Sequence, residues 1–287
     1  MRDRLEMKEG MFGMQLQCGR FSLDLTRPRI MAVLNVTPDS FSGDGVNRST
    51  DEAFRKAEHA CAEGADVLDV GGESSRPGAD QVSEQEELDR VIPVVEALAS
   101  GPVPVSVDTV KPVVMREALR AGASMINDIN AFRDPDALDA VCKHDAALCV
   151  MHMQGRPRTM QQAPEYRDVV AEVSGFLEAR VQALLASGVA AQRLVLDPGF
   201  GFGKTLEHNL TMLRHVAAFG LGCYPVLVGI SRKSMLGHLT GKGVEQRTHA
   251  SVAAALMAVE AGARLVRVHD VAATRDALCV WSAVREH

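Results

Sequence analysis

Asp66-Val-Leu-Asp-Val-Gly-Gly72, a helical stretch from Ser83 to Ala99, and then Val103-Pro-Val-Ser-Val-Asp-Thr109 together decide the architecture. Both short runs are apolar along most of their length and end in polar or glycine residues, the pattern of strands buried on both faces. A helix between two such strands is a βαβ unit of a parallel sheet. Outward from this passage the same rhythm recurs at roughly 30-residue spacing. The further strand candidates are Ile30–Asn35, Ser124–Ile129, Ala147–Met153, Arg193–Gly199, Pro225–Ser231 and Leu265–Asp270, making eight.

Helices are expected at Thr50–Glu63, Lys111–Ala121, Tyr166–Ser187 and Glu245–Ala261, besides Ser83–Ala99. Several end at a glycine (Gly64, Gly122, Gly188, Gly262), where a left-handed cap costs little. Eight βα units with short connections favour a closed (β/α)8 TIM barrel; an open doubly wound sheet is the alternative. Ahead of the first unit, Met14-Gln-Leu-Gln-Cys18, Gly19-Arg20 and Phe21-Ser-Leu-Asp-Leu25 read as a β-hairpin, suited to plug the N-terminal end of the barrel. The expected organisation is an extension and hairpin over 1–29 and one catalytic barrel over 30–287. The chain is 287 residues long, and a single α/β barrel accounts for ~250.

With 46% hydrophobic residues the chain can bury one large core without staples. A net charge of -6 with no block of like charge argues against nucleic acid or an anionic membrane as principal partner. Cys18, Cys61, Cys142, Cys149, Cys223 and Cys279 form no CxxC pair and no zinc-finger spacing, as expected of reduced thiols in a cytoplasmic protein. No signal-peptide pattern opens the sequence, and no stretch is long and apolar enough to span a membrane.

Polar residues close nearly every strand: Asn35, Asp69, Asp108, Asn127, His152, Asp197, Ser231, and Arg267 with His269. Taken singly, an aspartate after a strand is more often a helix cap or turn residue. In a barrel, however, all these ends meet on the catalytic face. Arg267 and His269, two apart, share one side of their strand and form a cationic pair. Together with Ser231-Arg-Lys-Ser234 after the seventh strand, they suit a phosphate or pyrophosphate; the plainer reading pairs them with carboxylates such as Asp270.

Asp108, Asn127, Asp197 and Lys233 fall on strands three, four, six and seven, and would ring the cavity. They suit a flat heterocycle with an amidine-like edge, or equally a buried ion-pair network. The segment Asp197-Pro-Gly-Phe-Gly-Phe-Gly-Lys204 lacks the GxxxxGK[ST] spacing of a phosphate loop. Its glycines read as a mobile loop holding Phe200 and Phe202 over a pocket.

These residues carry a resemblance to bacterial dihydropteroate synthases that extends from Ile30 to the C-terminus. It rests on Ile30-Met-Ala-Val-Leu-Asn-Val-Thr-Pro-Asp-Ser-Phe-Ser42, Gly64-Ala-Asp-Val-Leu-Asp-Val-Gly-Gly-Glu-Ser-Ser-Arg-Pro-Gly78, Ser106-Val-Asp-Thr109 and Ile126-Asn-Asp128. Met151-His-Met-Gln-Gly155, Leu196-Asp-Pro-Gly-Phe-Gly-Phe-Gly-Lys204, Gly229-Ile-Ser-Arg-Lys-Ser234 and Arg267-Val-His-Asp270 complete it.

The resemblance implies a folate-pathway transferase that condenses 6-hydroxymethyl-7,8-dihydropterin pyrophosphate with p-aminobenzoate. It implies a pterin site of Asp108, Asn127, Asp197 and Lys233, and a pyrophosphate site of Asn35, Ser75, Arg267 and His269. Mg²⁺ is expected at Asn35. For p-aminobenzoate it implies Thr37, Pro38, Ser75, Arg76, Phe202 and Ser231, with Lys233. Asn35, Arg76, Lys233, Arg267 and His269 carry the chemistry: charge on the leaving pyrophosphate is stabilised while the amine attacks the pterin methylene. The resemblance also implies a homodimer through late helices. From the residues alone, the face Ala250, Ala253, Ala254 and Met257 suits packing on the barrel or on a partner.

Two positions depart from the family pattern: Gly43-Asp44-Gly45 stands where Asp-Gly-Gly is common, and Ser75 where threonine is common. Rival readings are a pterin-dependent methyl-transfer domain, a non-catalytic pterin binder, and an aldolase using Lys233 as a Schiff base. A methyl donor has no pyrophosphate to leave, which sets Arg267 and His269 against the first.

Overall fold

The computed structural model describes residues 15–36, 46–74, 82–155 and 159–286. The chain begins there with β1 (Gln15–Cys18) and β2 (Phe21–Asp24), an antiparallel hairpin that turns at Gly19 with φ of 55°. Next come β3 (Arg29–Asn35), α1 (Val46–Ala62), β4 (Val67–Gly71), α2 (Glu84–Leu98), β5 (Val105–Asp108), α3 (Pro112–Arg120), β6 (Met125–Asp128) and α4 (Pro135–Cys142). The second half holds β7 (Ala147–Met151), α5 (Val169–Ala186), β8 (Leu194–Asp197), α6 (Leu206–Arg214), β9 (Leu227–Val228), α7 (Ser234–Thr240), α8 (Thr248–Glu260), β10 (Leu265–Val268) and α9 (Val271–Glu286).

Strands β3 to β10 are parallel and neighbour one another in chain order, with β10 returning to pair with β3. A parallel bridge between Leu196 and Val226 joins β8 to the β9 stave, and Leu196 N donates to Pro225 O at 2.9 Å. The ring is therefore closed, and the open-sheet alternative falls.

Alternation along each stave sorts the core into two layers. Ile30, Ala32, Leu68, Val70, Val107, Ile126, Leu148, Val150 and Val266 point outward and pack under the helices. Met31, Val67, Met125, Ala147, Leu227 and Leu265, all near strand starts, point inward, where the hairpin's Leu16 and Cys18 meet them. Gly19 N donates to Asp145 O at 3.0 Å, and the Arg20 guanidinium reaches Ala99 O and Gly101 O. The hairpin thus stops the N-terminal mouth with apolar surface and leaves the opposite rim to polar side chains.

Local signals explain the helix ends. Ser83, Asp134 and Asp168 cap α2, α4 and α5 by accepting from backbone N–H groups of the first turn. The four glycines expected to end helices all have positive φ. Tyr166 had been expected inside a helix, yet α5 starts at Val169, because Asp168 caps it and Tyr166 turns inward to donate to Gly203 O. Likewise α8 starts at Thr248 rather than Glu245, after a short 3-10 turn over Val244–Gln246. Among the described residues no helix is long and apolar enough to cross a membrane.

Candidate active site

At the C-terminal rim, Asn35, Gly71, Asp108 and Asn127 are register partners on four successive staves. A Cβ at Gly71 would lie 3.8 Å from both Asn35 Oδ1 and Asp108 Cβ, in ordinary contact with each. From β10, Arg267 reaches across the barrel. Its Nε donates to Asp69 Oδ2 at 2.6 Å and an NH2 group donates to Asp108 Oδ2 at 2.9 Å. Asn127 Nδ2 faces the same Asp69 oxygen at 3.4 Å.

Burial opposes the charge on Arg267, but Asp69 and Asp108 outweigh it and hold the guanidinium above its usual range. Burial also raises Asp108, with Arg267 opposing, and raises Asp197, with Lys233 opposing. Lys233 is brought down to about 8 by burial although Asp197 works the other way. The site is therefore a desolvated cluster of both signs, where hydrogen bonds to a ligand gain strength.

Lys233 Nζ donates to Phe200 O and stands 4.4 Å from the centre of the Phe202 ring. Ser231 Oγ accepts from His269 N at 3.2 Å and lies 3.0 Å from His269 Nδ1, so it orients the imidazole. The carboxylate of Asp270 takes Arg232 at 2.8 and 3.2 Å and Thr248 at 3.1 Å. Arg267 pairs instead with carboxylates inside the barrel. The structure so brings Asn35, Asp108, Asn127, Asp197, Ser231, Lys233, Arg267 and His269 to one rim. Thr37, Pro38, Ser75, Arg76 and the Gly43-Asp44-Gly45 segment lie outside the described residues.

One expectation needs correction. Phe200 does not stand over the pocket; it is fully buried in the outer core, and only Phe202 is presented at the rim. Nor do the loop glycines serve as mere looseness. Gly199, Gly201 and Gly203 all have positive φ, and a Cβ on Gly199 would collide with the His152 carbonyl oxygen.

Two residues of the site were not singled out from sequence as site residues. Asp69, 0% exposed, is in the sequence one strand-end polar group among several, although it organises both Arg267 and Asn127. Its one signal was its two-residue offset from Gly71, which places it on the inner face one step deeper. Lys204 closes the Asp197–Lys204 motif with no sign of a site role in the sequence, yet it is buried beside His152, its Nζ 3.0 Å from Nδ1. Nothing in its neighbourhood along the chain marks a lysine as buried.

The family described as "Pterin binding enzyme" has a sequence pattern that matches residues 31–269. The chain belongs to the pterin-binding enzyme family. Within that family, it is 50% identical to a dihydropteroate synthase of Neisseria meningitidis serogroup C, over 93% of this chain and 96% of that one. The dihydropteroate synthase of Escherichia coli K12 is 49% identical over 91% and 93% of the two chains.

Among solved structures, the Burkholderia cenocepacia dihydropteroate synthase complexed with 7,8-dihydropteroate superposes with a TM-score of 0.88. It is 55% identical, covering 96% of this chain and 97% of that one. The Xanthomonas albilineans enzyme with 4-aminobenzoic acid gives 0.89 at 50% identity, covering 95% and 98%.

Asn35 brings one neutral, hard oxygen to the rim, and among the described residues no three His, Cys, Asp or Glu side chains gather as a metal site. A lone amide oxygen suits Mg²⁺ that takes its other ligands from phosphate oxygens and water, which is how this ion is commonly held.

Proposed function

We propose that this chain condenses 6-hydroxymethyl-7,8-dihydropterin pyrophosphate with p-aminobenzoate, giving 7,8-dihydropteroate and pyrophosphate. The observation that carries the reading is the cluster of Asp108, Asn127, Asp197, Lys233 and Arg267 at one barrel rim, in a chain half identical to dihydropteroate synthases along nearly its whole length. Asn127 Oδ1 and Asp69 Oδ1 are buried acceptors without a hydrogen-bond partner among the described residues, and a heterocycle rich in N–H groups supplies what Asn127 lacks.

In this reading Asp108, Asn127, Asp197 and Lys233 hold the pterin. Arg267 commits two donors to Asp69 and Asp108, which leaves guanidinium N–H groups to meet the pyrophosphate beside His269. The C–O bond to the pyrophosphate breaks with its electron pair leaving on oxygen, and the aryl amine forms the new C–N bond and releases a proton. Arg267 and His269 stabilise the charge that develops on the leaving group. Mg²⁺, held through Asn35, would add to that neutralisation when bound. The amine is a sufficient nucleophile, so the protein's task is placement. Phe202, Ser231 and Lys233 would receive p-aminobenzoate together with Thr37, Pro38, Ser75 and Arg76, the last two of which the family resemblance also connects with pyrophosphate or catalysis.

We also place the protein in the cytoplasm as a homodimer, with residues 30–287 as its catalytic unit. All six cysteines are free, which suits a reducing compartment. Ala254 is buried against the barrel, whereas Met257 on α8 and Val280 and Val284 on α9 are exposed, and a second copy would cover them.

Pyrophosphate release by the purified protein, with Mg²⁺ and pterin pyrophosphate and with or without p-aminobenzoate, tests the reaction. Dihydropteroate identified by mass only in the complete mixture is the expected result; tight pterin binding without product would leave a binding protein.

A further inference from the structure

We propose that Lys204 is a positioning residue for the aryl-amine half of the site, holding the Gly199–Gly203 loop so that Phe202 is already in place beneath Lys233 before substrate arrives. The inference rests on the function proposed above and concerns a side chain that cannot itself reach the substrate, since Lys204 is only 3% exposed and lies behind the loop it holds.

Five successive carbonyls without a strand or helix to pair them must find other donors. Lys204 Nζ donates to Gly199 O at 2.9 Å and to Phe202 O at 3.0 Å. Lys233 takes Phe200 O, Gln161 takes Gly201 O, and Tyr166 OH takes Gly203 O at 2.9 Å. Every carbonyl of the loop is thus engaged, two of them by Lys204.

Burial lowers Lys204 to about 7, with Asp197 opposing; in its protonated form it has three N–H donors, and the third goes to His152 Nδ1 at 3.0 Å. That nitrogen is free to accept because burial keeps the imidazole neutral. Phe202 N in turn donates to Gly199 O at 3.1 Å, so Lys204 ties both ends of one turn. Phe200 anchors the loop in the core. What remains for the pocket is the Phe202 ring, 4.4 Å from Lys233 Nζ, a fixed flat face for an aromatic ring. Without Lys204, Phe202 O and the imidazole lose their donor and Gly199 O keeps only Phe202 N, and the ring would have to be ordered at the expense of substrate binding.

Steady-state kinetics of Lys204→Met and Lys204→Gln with both substrates separate this role from general support. The expected result is a rise of about tenfold or more in KM for p-aminobenzoate in Lys204→Met, with a smaller rise in Lys204→Gln, whose amide retains donors. KM for pterin pyrophosphate should stay nearly unchanged. An unchanged p-aminobenzoate KM, or equal rises for both substrates, overturns the proposal.

Should Lys204→Met fail to fold, amide hydrogen exchange of the unmodified protein decides. Protection without ligand of the Phe202 amide, which donates to the Gly199 O that Lys204 also holds, supports the proposal, and free exchange until p-aminobenzoate is added refutes it. If the unmodified protein makes no dihydropteroate, the proposed function fails, and the exchange result still judges the loop by itself.

Discussion

Asp197 and Lys233 show how burial converts ordinary polar residues into a recognition surface. Each is desolvated at the rim, with the other's opposite charge acting against its shift, so each has hydrogen-bonding capacity that a ligand can use. Asp197→Ala and Lys233→Ala should each weaken binding of the pterin pyrophosphate by about 1.5–3 kcal/mol, the size of a charge-assisted hydrogen bond. Calorimetric titration reads this directly, and unchanged affinity in both variants would dissolve the pterin pocket. Asp197 is legible in the sequence because it closes a strand; Lys233, expected on the seventh strand, instead follows that strand and stands at the N-cap of α7. Asp69 was less legible: whether a strand-end aspartate is a cap, a ligand or a scaffold depends on which partner crosses the barrel, and Arg267 lies 198 residues away. Its scaffold role predicts that Asp69→Asn lowers unfolding stability by about 3 kcal/mol, since Arg267 and Asp108 are left poorly compensated in the interior. Urea denaturation with an unchanged midpoint would show that Asp69 does not bear on the fold.

At the scale of the element, the eight staves could be located because apolar runs in a parallel barrel repeat with little alternation. The short helices α4 and α6 were less visible, having two turns or little more in which periodicity can declare itself. Reading the Gly199–Gly203 glycines as flexibility failed for a related reason. Positive φ and close approach to His152 are tertiary facts, and glycine spacing looks the same whether a loop swings or is pinned. The hairpin gives the reverse case, since its local turn signal sufficed and its plugging role followed from having nowhere else to bury Leu16 and Cys18. Leu16→Ala should cost about 3 kcal/mol through the cavity left at the barrel floor. Because that floor lies at the end opposite the rim, kcat of the folded fraction should hold. A loss of kcat larger than the loss of folded protein would mean that the plug and the catalytic rim are coupled.

For the molecule as a whole, the closed ring fixes which groups are kept from water, and with them the stability at acid pH. His152 closes the β7 stave, is buried beside Phe176 and Lys204, and is pushed down to about 3 by burial, with the cations Lys204 and Arg133 acting in the same sense. In the unfolded chain the same imidazole titrates near ~6.5. The folded pKa lies below the unfolded one, so the unfolded state binds the proton more readily between the two values. The stabilisation is complete above about pH 6.5 and is lost at about 1.4 kcal/mol per pH unit as the pH falls toward the folded value. His152→Gln keeps a side-chain oxygen that can accept from Lys204 and removes the titration. Urea midpoints measured from pH 7 down to pH 4 should therefore fall less steeply in His152→Gln than in the unmodified protein. Parallel lines for the two proteins would mean that the imidazole takes up its proton as readily in the fold as in the unfolded chain, so that burial does not keep Nδ1 as an acceptor for Lys204 through this range, and the hydrogen-bond assignment around that lysine would have to be redrawn.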